Sequence, residues 1–335
     1  MKSRGEILGD RERFIDKARG VMSGLAIGDS FGDASRKPEN QLAYGITTDF
    51  GEGASWSTDD TEFGLLTAQT LIECQGELTM EKVAEAWRKH VVVQGEELHR
   101  GGNSEMEAAA NLVKGLEPPF TGIYNSYAFS DGAAMRAAPI GIVFAGDLEG
   151  AAEAARIDAC VSHSREGIWG AQAVACAVAA AMADADMDEI LEAAMYAVPS
   201  DSWFYYTFNL AMDIVRKANG NIVDAWMPLH DQLITRYKAA VPEAVSQAFG
   251  VLSLLHDDFR MGITLAGNFG RDADTIGAIC GSVLGAMYGH SAIPARWAEK
   301  TRYPSGTCLD MAKGIDLMDI AGKLADLALA KQEQK

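Results

Sequence analysis

Apolar residues along this chain recur at helical spacing, three and four apart, rather than alternating as in half-buried strands. Residues 14–31, 60–74, 80–93, 151–160, 168–182, 187–197, 204–218, 244–255, 275–288 and 313–329 carry this pattern and are predicted helices. In the first, Gly20, Ser23, Gly24 and Gly28 are small residues where a second backbone can approach. No alternating runs joined by Asn-Gly turns are present, so the expected class is all-α. Glycines concentrate between helices, at 51–53, 101–103 and 267–270, which read as loops. No Pro/Ser-rich linker or internal repeat divides the chain. One domain over residues 1–335 is expected, closing with the helix 313–329 and a polar, fraying tail at 331–335.

Composition narrows the class. Of the 335 residues, 48% are hydrophobic, enough for a large core, yet no uncharged apolar run reaches membrane-spanning length. The start of the chain lacks the apolar stretch of a signal peptide. The five cysteines, Cys74, Cys160, Cys176, Cys280 and Cys308, are scattered and form no Cys-x-x-Cys pair. They read as buried thiols in a cytoplasmic protein. The net charge of −18 argues against binding duplex nucleic acid and is compatible both with cation binding and with plain solubility.

Two short clusters carry the chemistry. Ser57-Thr58-Asp59-Asp60-Thr61 precedes one predicted helix, and Arg271-Asp272-Ala273-Asp274-Thr275 opens another. Ser, Thr and Asp are favoured helix caps, and acids are stabilised at helix N-termini. One carboxylate would satisfy that need. Here a carboxylate pair with flanking threonine appears twice, more than 200 residues apart. Hard divalent cations take several oxygen ligands, so four carboxylates and two threonine oxygens converging from two helix starts suit two ions.

With these residues in hand, the chain resembles the ADP-ribosylglycohydrolase superfamily. Five segments match in order: 24–32 (GLAIGDSFG), 58–61 (TDDT), 131–139 (DGAAMRAAP), 162–164 (SHS) and 268–276 (NFGRDADTI). The similarity spans roughly residues 15–295. It implies an all-α bundle with a central cleft holding two Mg²⁺ or Mn²⁺ ions. It implies Thr58, Asp59, Asp60, Asp272, Asp274 and Thr275 as ligands, and hydrolysis of the bond at the anomeric carbon of an ADP-ribosyl group, on a small molecule or a modified protein.

The match has departures. The family's first motif ends in a Glu that assists catalysis, and Arg36 stands there instead. Arginine is no base at neutral pH, but its planar fork suits phosphate or carboxylate. Asp33 and Glu39 are nearby substitutes for the carboxylate. Asp131 replaces the family's Asn, and Arg271 its usual Gly. Proton acceptance is therefore assigned among Asp29, Asp33 and Asp272.

Substrate contacts are expected from Arg36, Gly101, Gly102, Asn103, Ser104, Asp131, Gly132, Met135, His163 and Arg271. Several have an ordinary alternative: a surface arginine at 36, a flexible loop at 101–104, a hydrogen-bonded core histidine at 163, an ion pair with neighbouring acids at 271. The aromatic run 203–206 with Phe208 reads as helix packing more than as a base-stacking platform. Tyr124 and Tyr127 are better placed for a cleft wall. Ser57 has no His-Asp partner that would make it a nucleophile. The resulting expectation is a metal-dependent glycosidase acting on an ADP-ribosyl or related ribosyl substrate. The alternatives are a nucleoside or small-conjugate hydrolase and a catalytically silent nucleotide binder.

Overall fold

The computed structural model describes residues 1–34, 36, 42, 46–51, 55–97 and 101–333. Among them every regular element is helical, and pairing of the β type is limited to one isolated bridge between Ser130 and Ala240. Glu39, Glu52 and Gly53, singled out above, lie outside the described residues.

The Arg11–Asp33 helix and the Ala273–Tyr288 helix form the axis. Gly20, Gly24, Gly28 and Gly32 repeat every four residues, so they share one face of the first helix. Gly277, Gly281 and Gly285 do the same on the second. The two faces meet with almost no side chain between them. A Cβ at Gly20, Gly24, Gly28 or Gly32 would meet the carbonyl oxygen of Gly285, Gly281, Gly277 or Ala273 well inside van der Waals contact. Partner numbers fall as the others rise, so the helices are antiparallel. The C-terminal end of the first, with Asp29 and Asp33, therefore lies against the N-terminal end of the second, with Asp272 and Asp274.

Other helices shield this pair. Glu166–Met182 is apolar all round, with Ala173, Ala175, Ala177, Ala179 and Ala181 fully buried, as expected of a helix enclosed by neighbours. One apolar cluster runs from Ile7 to Ala328. None of the helices among the described residues is long and apolar enough to cross a membrane.

All ten predicted helices are present, with shifted ends. The helix expected over 80–93 stops at His90, where a 3₁₀ stretch with Gly95 at φ 53° follows. The one expected from 313 begins at Leu317, because Gly314 has φ 72° and the Asp316 side chain accepts from Met318 N. That helix runs on to Glu333, so most of the tail expected to fray is helical. Asn103–Val113, Ile222–Gln232, Phe259–Gly267 and Ala295–Thr301 were not predicted. Pro228 and Gly262 interrupt the pattern in two of these.

Candidate active site: an acidic cleft where helix ends meet

The site begins with Asp29, fully buried at the end of the glycine-faced helix. Its carboxylate accepts four hydrogen bonds: the backbone N–H groups of Thr58 (2.9 Å) and Thr61 (3.2 Å) and both threonine hydroxyls (2.5 Å each). Asp29 thus caps the Asp59–Glu73 helix from outside, where Thr58 as N-cap makes no cap bond of its own. Burial pushes the Asp29 carboxyl up to about 6 despite these four bonds. One turn into the same helix, buried Glu62 accepts from Ser57 Oγ and from the N–H groups of Thr307, Cys308 and Leu309. The first acidic motif is thereby tied at both ends.

Held this way, Asp59 and Asp60 face Asp274 from the opposite helix start. One carboxylate oxygen from each of the three lies within 4.8 Å of the others. Oδ1 of Asp60 and Oδ1 of Asp274 are buried and have no hydrogen-bond partner. Orphaned carboxylate oxygens in a dry site are costly unless a cation meets them. Burial, then the Asp29 and Asp59 charges, raises the Asp60 carboxyl well above its usual value. Burial and Glu105 push Asp59 up to about 7. The donor set fits a hard divalent ion: oxygen only, mostly anionic, and crowded with like charge.

These acids line a cleft of about 220 Å³. Of the residues expected at the site, Arg36, Asp59, Asp60, Gly101, Gly102, Asn103, Ser104, Asp131, Gly132, Met135, Asp272, Asp274 and Thr275 all line it. The remainder lie behind or beside it. Asp29 and Thr58 form the buried support just described. Asp33 accepts from Trp56 Nε1 at 2.7 Å and lies 3.6 Å from Arg36 Nε. Arg271 turns away: its guanidinium donates to Glu243 (2.6 and 3.0 Å) and to the carbonyl of Thr235. Its φ of 56° is the strained consequence of filling a position the resemblance gives to Gly.

His163 is also behind the wall. It is 1% exposed and bonded to Ser130 Oγ (2.9 Å) and Ser162 Oγ (2.7 Å). Burial, then the Arg136 charge, lowers its pKa well below 6.5, so it is a neutral hydrogen-bonding strut. Of the aromatics, Phe204 and Phe208 enter the core, whereas Trp203 and Tyr206 are exposed. Tyr127 packs at 5.4 Å against Tyr237, which lines the cleft.

A profile of the ADP-ribosylglycohydrolase family matches residues 10–334. The chain belongs to the ADP-ribosylglycohydrolase family. An uncharacterized protein of Archaeoglobus fulgidus is 32% identical over 85% of this chain and 91% of its own length. An ADP-ribosylarginine hydrolase, Tri1, of Pseudomonas putida is 27% identical over 87% of this chain and 76% of its own. A solved structure titled an ADP-ribosylglycohydrolase-related protein complex superimposes with a TM-score of 0.62 at 21% identity, covering 95% of this chain and 99% of that one. The all-α fold of the family is therefore that of this chain.

This ADP-ribosylglycohydrolase cleft also contains groups that sequence reading passed over. Glu105 is buried in its wall, accepting from Ser104 Oγ at 2.7 Å and lying 3.5 Å from Arg136 Nη1. Gly102 and Gly132 make room for it, since a Cβ at either would collide with its carboxylate. Both glycines, expected to touch substrate, have this second task. Lys238 donates to Asp272 Oδ1 at 2.5 Å and to the Arg271 carbonyl at 3.2 Å. It arrives through the Ser130–Ala240 bridge, where Asp131 N–H bonds the Ala239 carbonyl. No local motif announces such a non-local pairing. Glu105 did leave a signal: an acid directly after a glycine loop, two residues into a helix.

Proposed function

We propose that this protein is a divalent-metal-dependent hydrolase that removes an ADP-ribosyl group from a guanidinium-like leaving group. The reading is carried by the convergence of the two acid–threonine motifs, with Asp60 Oδ1 and Asp274 Oδ1 buried, unpartnered and aimed into one cleft. Asp59, Asp60, Asp272, Asp274 and Thr275 line that cleft as ligands, with Thr58 held at its back by Asp29. Two Mg²⁺ or Mn²⁺ ions bound there would supply Lewis-acid contacts to the ribose hydroxyls. A guanidinium leaving group is in line with the name of the Pseudomonas putida relative, an ADP-ribosylarginine hydrolase.

The chain's own residues divide the remaining work. Asp29 is fully buried, lies outside the cleft lining and accepts four bonds from Thr58 and Thr61, so it positions the first motif. Asp33 is engaged by Trp56 and Arg36, and Asp272 by Lys238. Glu105 lines the cleft with a pKa raised chiefly by burial, and we assign it the proton of the attacking water. The C–N bond at the anomeric carbon breaks, a C–O bond to water forms, and the proton passes through Glu105 to the leaving nitrogen. The five free thiols fit a cytoplasmic site of action.

A second reading has its own observation: Arg36 stands where the resemblance expects a catalytic Glu and pairs with Asp274. It describes a silent binder of ADP-ribose. Product analysis by mass spectrometry separates the two. ADP-ribosylated arginine peptides, other ADP-ribosyl conjugates and nucleosides are incubated with Mg²⁺, with Mn²⁺ and with EDTA. Metal-dependent release of ADP-ribose from the arginine peptide supports the hydrolase. Retained ligand without product supports the binder.

A further inference from the structure

Six carboxylates line the cleft, Asp59, Asp60, Glu105, Asp131, Asp272 and Asp274, together with two basic side chains, Arg36 and Lys238. Both bases are committed to the second acidic motif. Lys238 Nζ sits on Asp272, and Arg36 Nη1 sits on Asp274 Oδ2. Among the described residues neither Asp59 nor Asp60 has an ion-pair partner, and both lie within electrostatic reach of Arg36. The position of Arg36 is built in. Its backbone N–H bonds the Gly32 carbonyl, so it continues the C-terminal turn of the glycine-faced helix, whose end favours positive charge. Its side chain is only 26% exposed.

We propose that Arg36 is an internal competitor for divalent ions: its guanidinium and an incoming ion contend for Asp274, and ion loading releases the fork to hold a phosphate of the substrate. The inference rests on the divalent-ion reading above. Asp274 divides its two oxygens, Oδ2 to Arg36 and Oδ1 to no protein group. An ion that takes both must evict the guanidinium, and one that takes Oδ1 alone sits beside a fixed positive charge in a desolvated cleft. Either way Arg36 weakens ion binding. Once displaced, the same planar fork remains tethered in the cleft wall, where its geometry matches a phosphate bidentately. A family position that elsewhere carries a carboxylate would here make ion loading a precondition for anchoring substrate.

Isothermal titration calorimetry of the purified full chain with Mn²⁺ tests this without turnover. Arg36→Gln and Arg36→Met should each bind Mn²⁺ about tenfold more tightly than the wild type, since one unit charge is removed from the site. With Mn²⁺ saturating, both variants should bind ADP-ribose about tenfold more weakly. Measurable Mn²⁺ binding that is unchanged or weaker in both variants would overturn the inference and leave the ion site standing. Tighter Mn²⁺ binding with unaltered ADP-ribose affinity removes the phosphate half of it. No Mn²⁺ binding by any of the three proteins defeats the ion-site reading and this inference together.

Discussion

At the residue scale the cleft is dominated by carboxylates that dislike their surroundings. Asp59 shows the consequence most directly. Its carboxyl, at about 7 because of burial and Glu105, sits above its ordinary 3.8, so the folded protein holds that proton more tightly than the unfolded chain. Ionising it costs stability as pH rises from about 4 to about 7, and no more is lost above that. A divalent ion favours the carboxylate and must expel the same proton, so its binding tightens as pH climbs through about 7. Added Mg²⁺ should therefore raise the melting temperature more at about pH 8 than at about pH 5.5. Equal effects at both would contradict the assignment. Glu105→Gln should lower kcat by about a hundredfold or more at saturating Mn²⁺, in a protein whose circular dichroism is still that of the folded wild type. If kcat is preserved, Glu105 is only the neighbour of Arg136. Asp29→Asn removes the anion that all four donors point at. It should weaken Mn²⁺ binding in calorimetry although the substituted side chain touches no ion, because Thr58 and the helix start behind it lose their anchor.

At the scale of elements, one contact decides where the chemistry sits. The glycine faces let two helix backbones approach so closely that carbonyls occupy the space side chains would need. Gly28→Ala puts a methyl into the Gly277 carbonyl, a backbone atom that cannot rotate away. It should destabilise the protein by about 3 kcal/mol and also weaken Mn²⁺ binding, since the second motif opens one of these helices and the first is tied to the other through Asp29. Gly322→Ala is the matched control. It lies in the Leu317–Glu333 helix with nothing near an added Cβ, so it should stabilise by about 0.5–1 kcal/mol. Chemical denaturation of the two variants checks the contrast. Sequence reading marked Gly20, Gly24 and Gly28 as a surface for a second backbone. It could not say which backbone, because Gly277, Gly281 and Gly285 lie some 250 residues away along the chain.

At the scale of the whole molecule, a single apolar cluster from Ile7 to Ala328 links the elements around the cleft. We propose that the chain is one cooperative domain, and calorimetry should record one unfolding transition that Mg²⁺ shifts as a unit. Two separable transitions, only one of them Mg²⁺-sensitive, would divide it. The helical class and all ten predicted helices were readable because long, strongly periodic segments carry their own signal. Of the helices that escaped, two are interrupted by Pro228 or Gly262, and Ala295–Thr301 spans only 7 residues and depends on packing.

The sequence by itself determined the all-α class, the two acid–threonine motifs and, through five ordered segments, the family. These are local patterns, and periodicity and residue chemistry survive in one dimension. Only the tertiary structure decided which acids share a cleft. It set Asp29 behind the wall as a cap, sent Arg271 to Glu243 and His163 to Ser130, and brought Glu105 and Lys238 in. The physical reason is common to all of them. A carboxylate's role depends on which donors and charges surround it after burial, and those partners come from helix ends and a bridge between segments far apart in the chain.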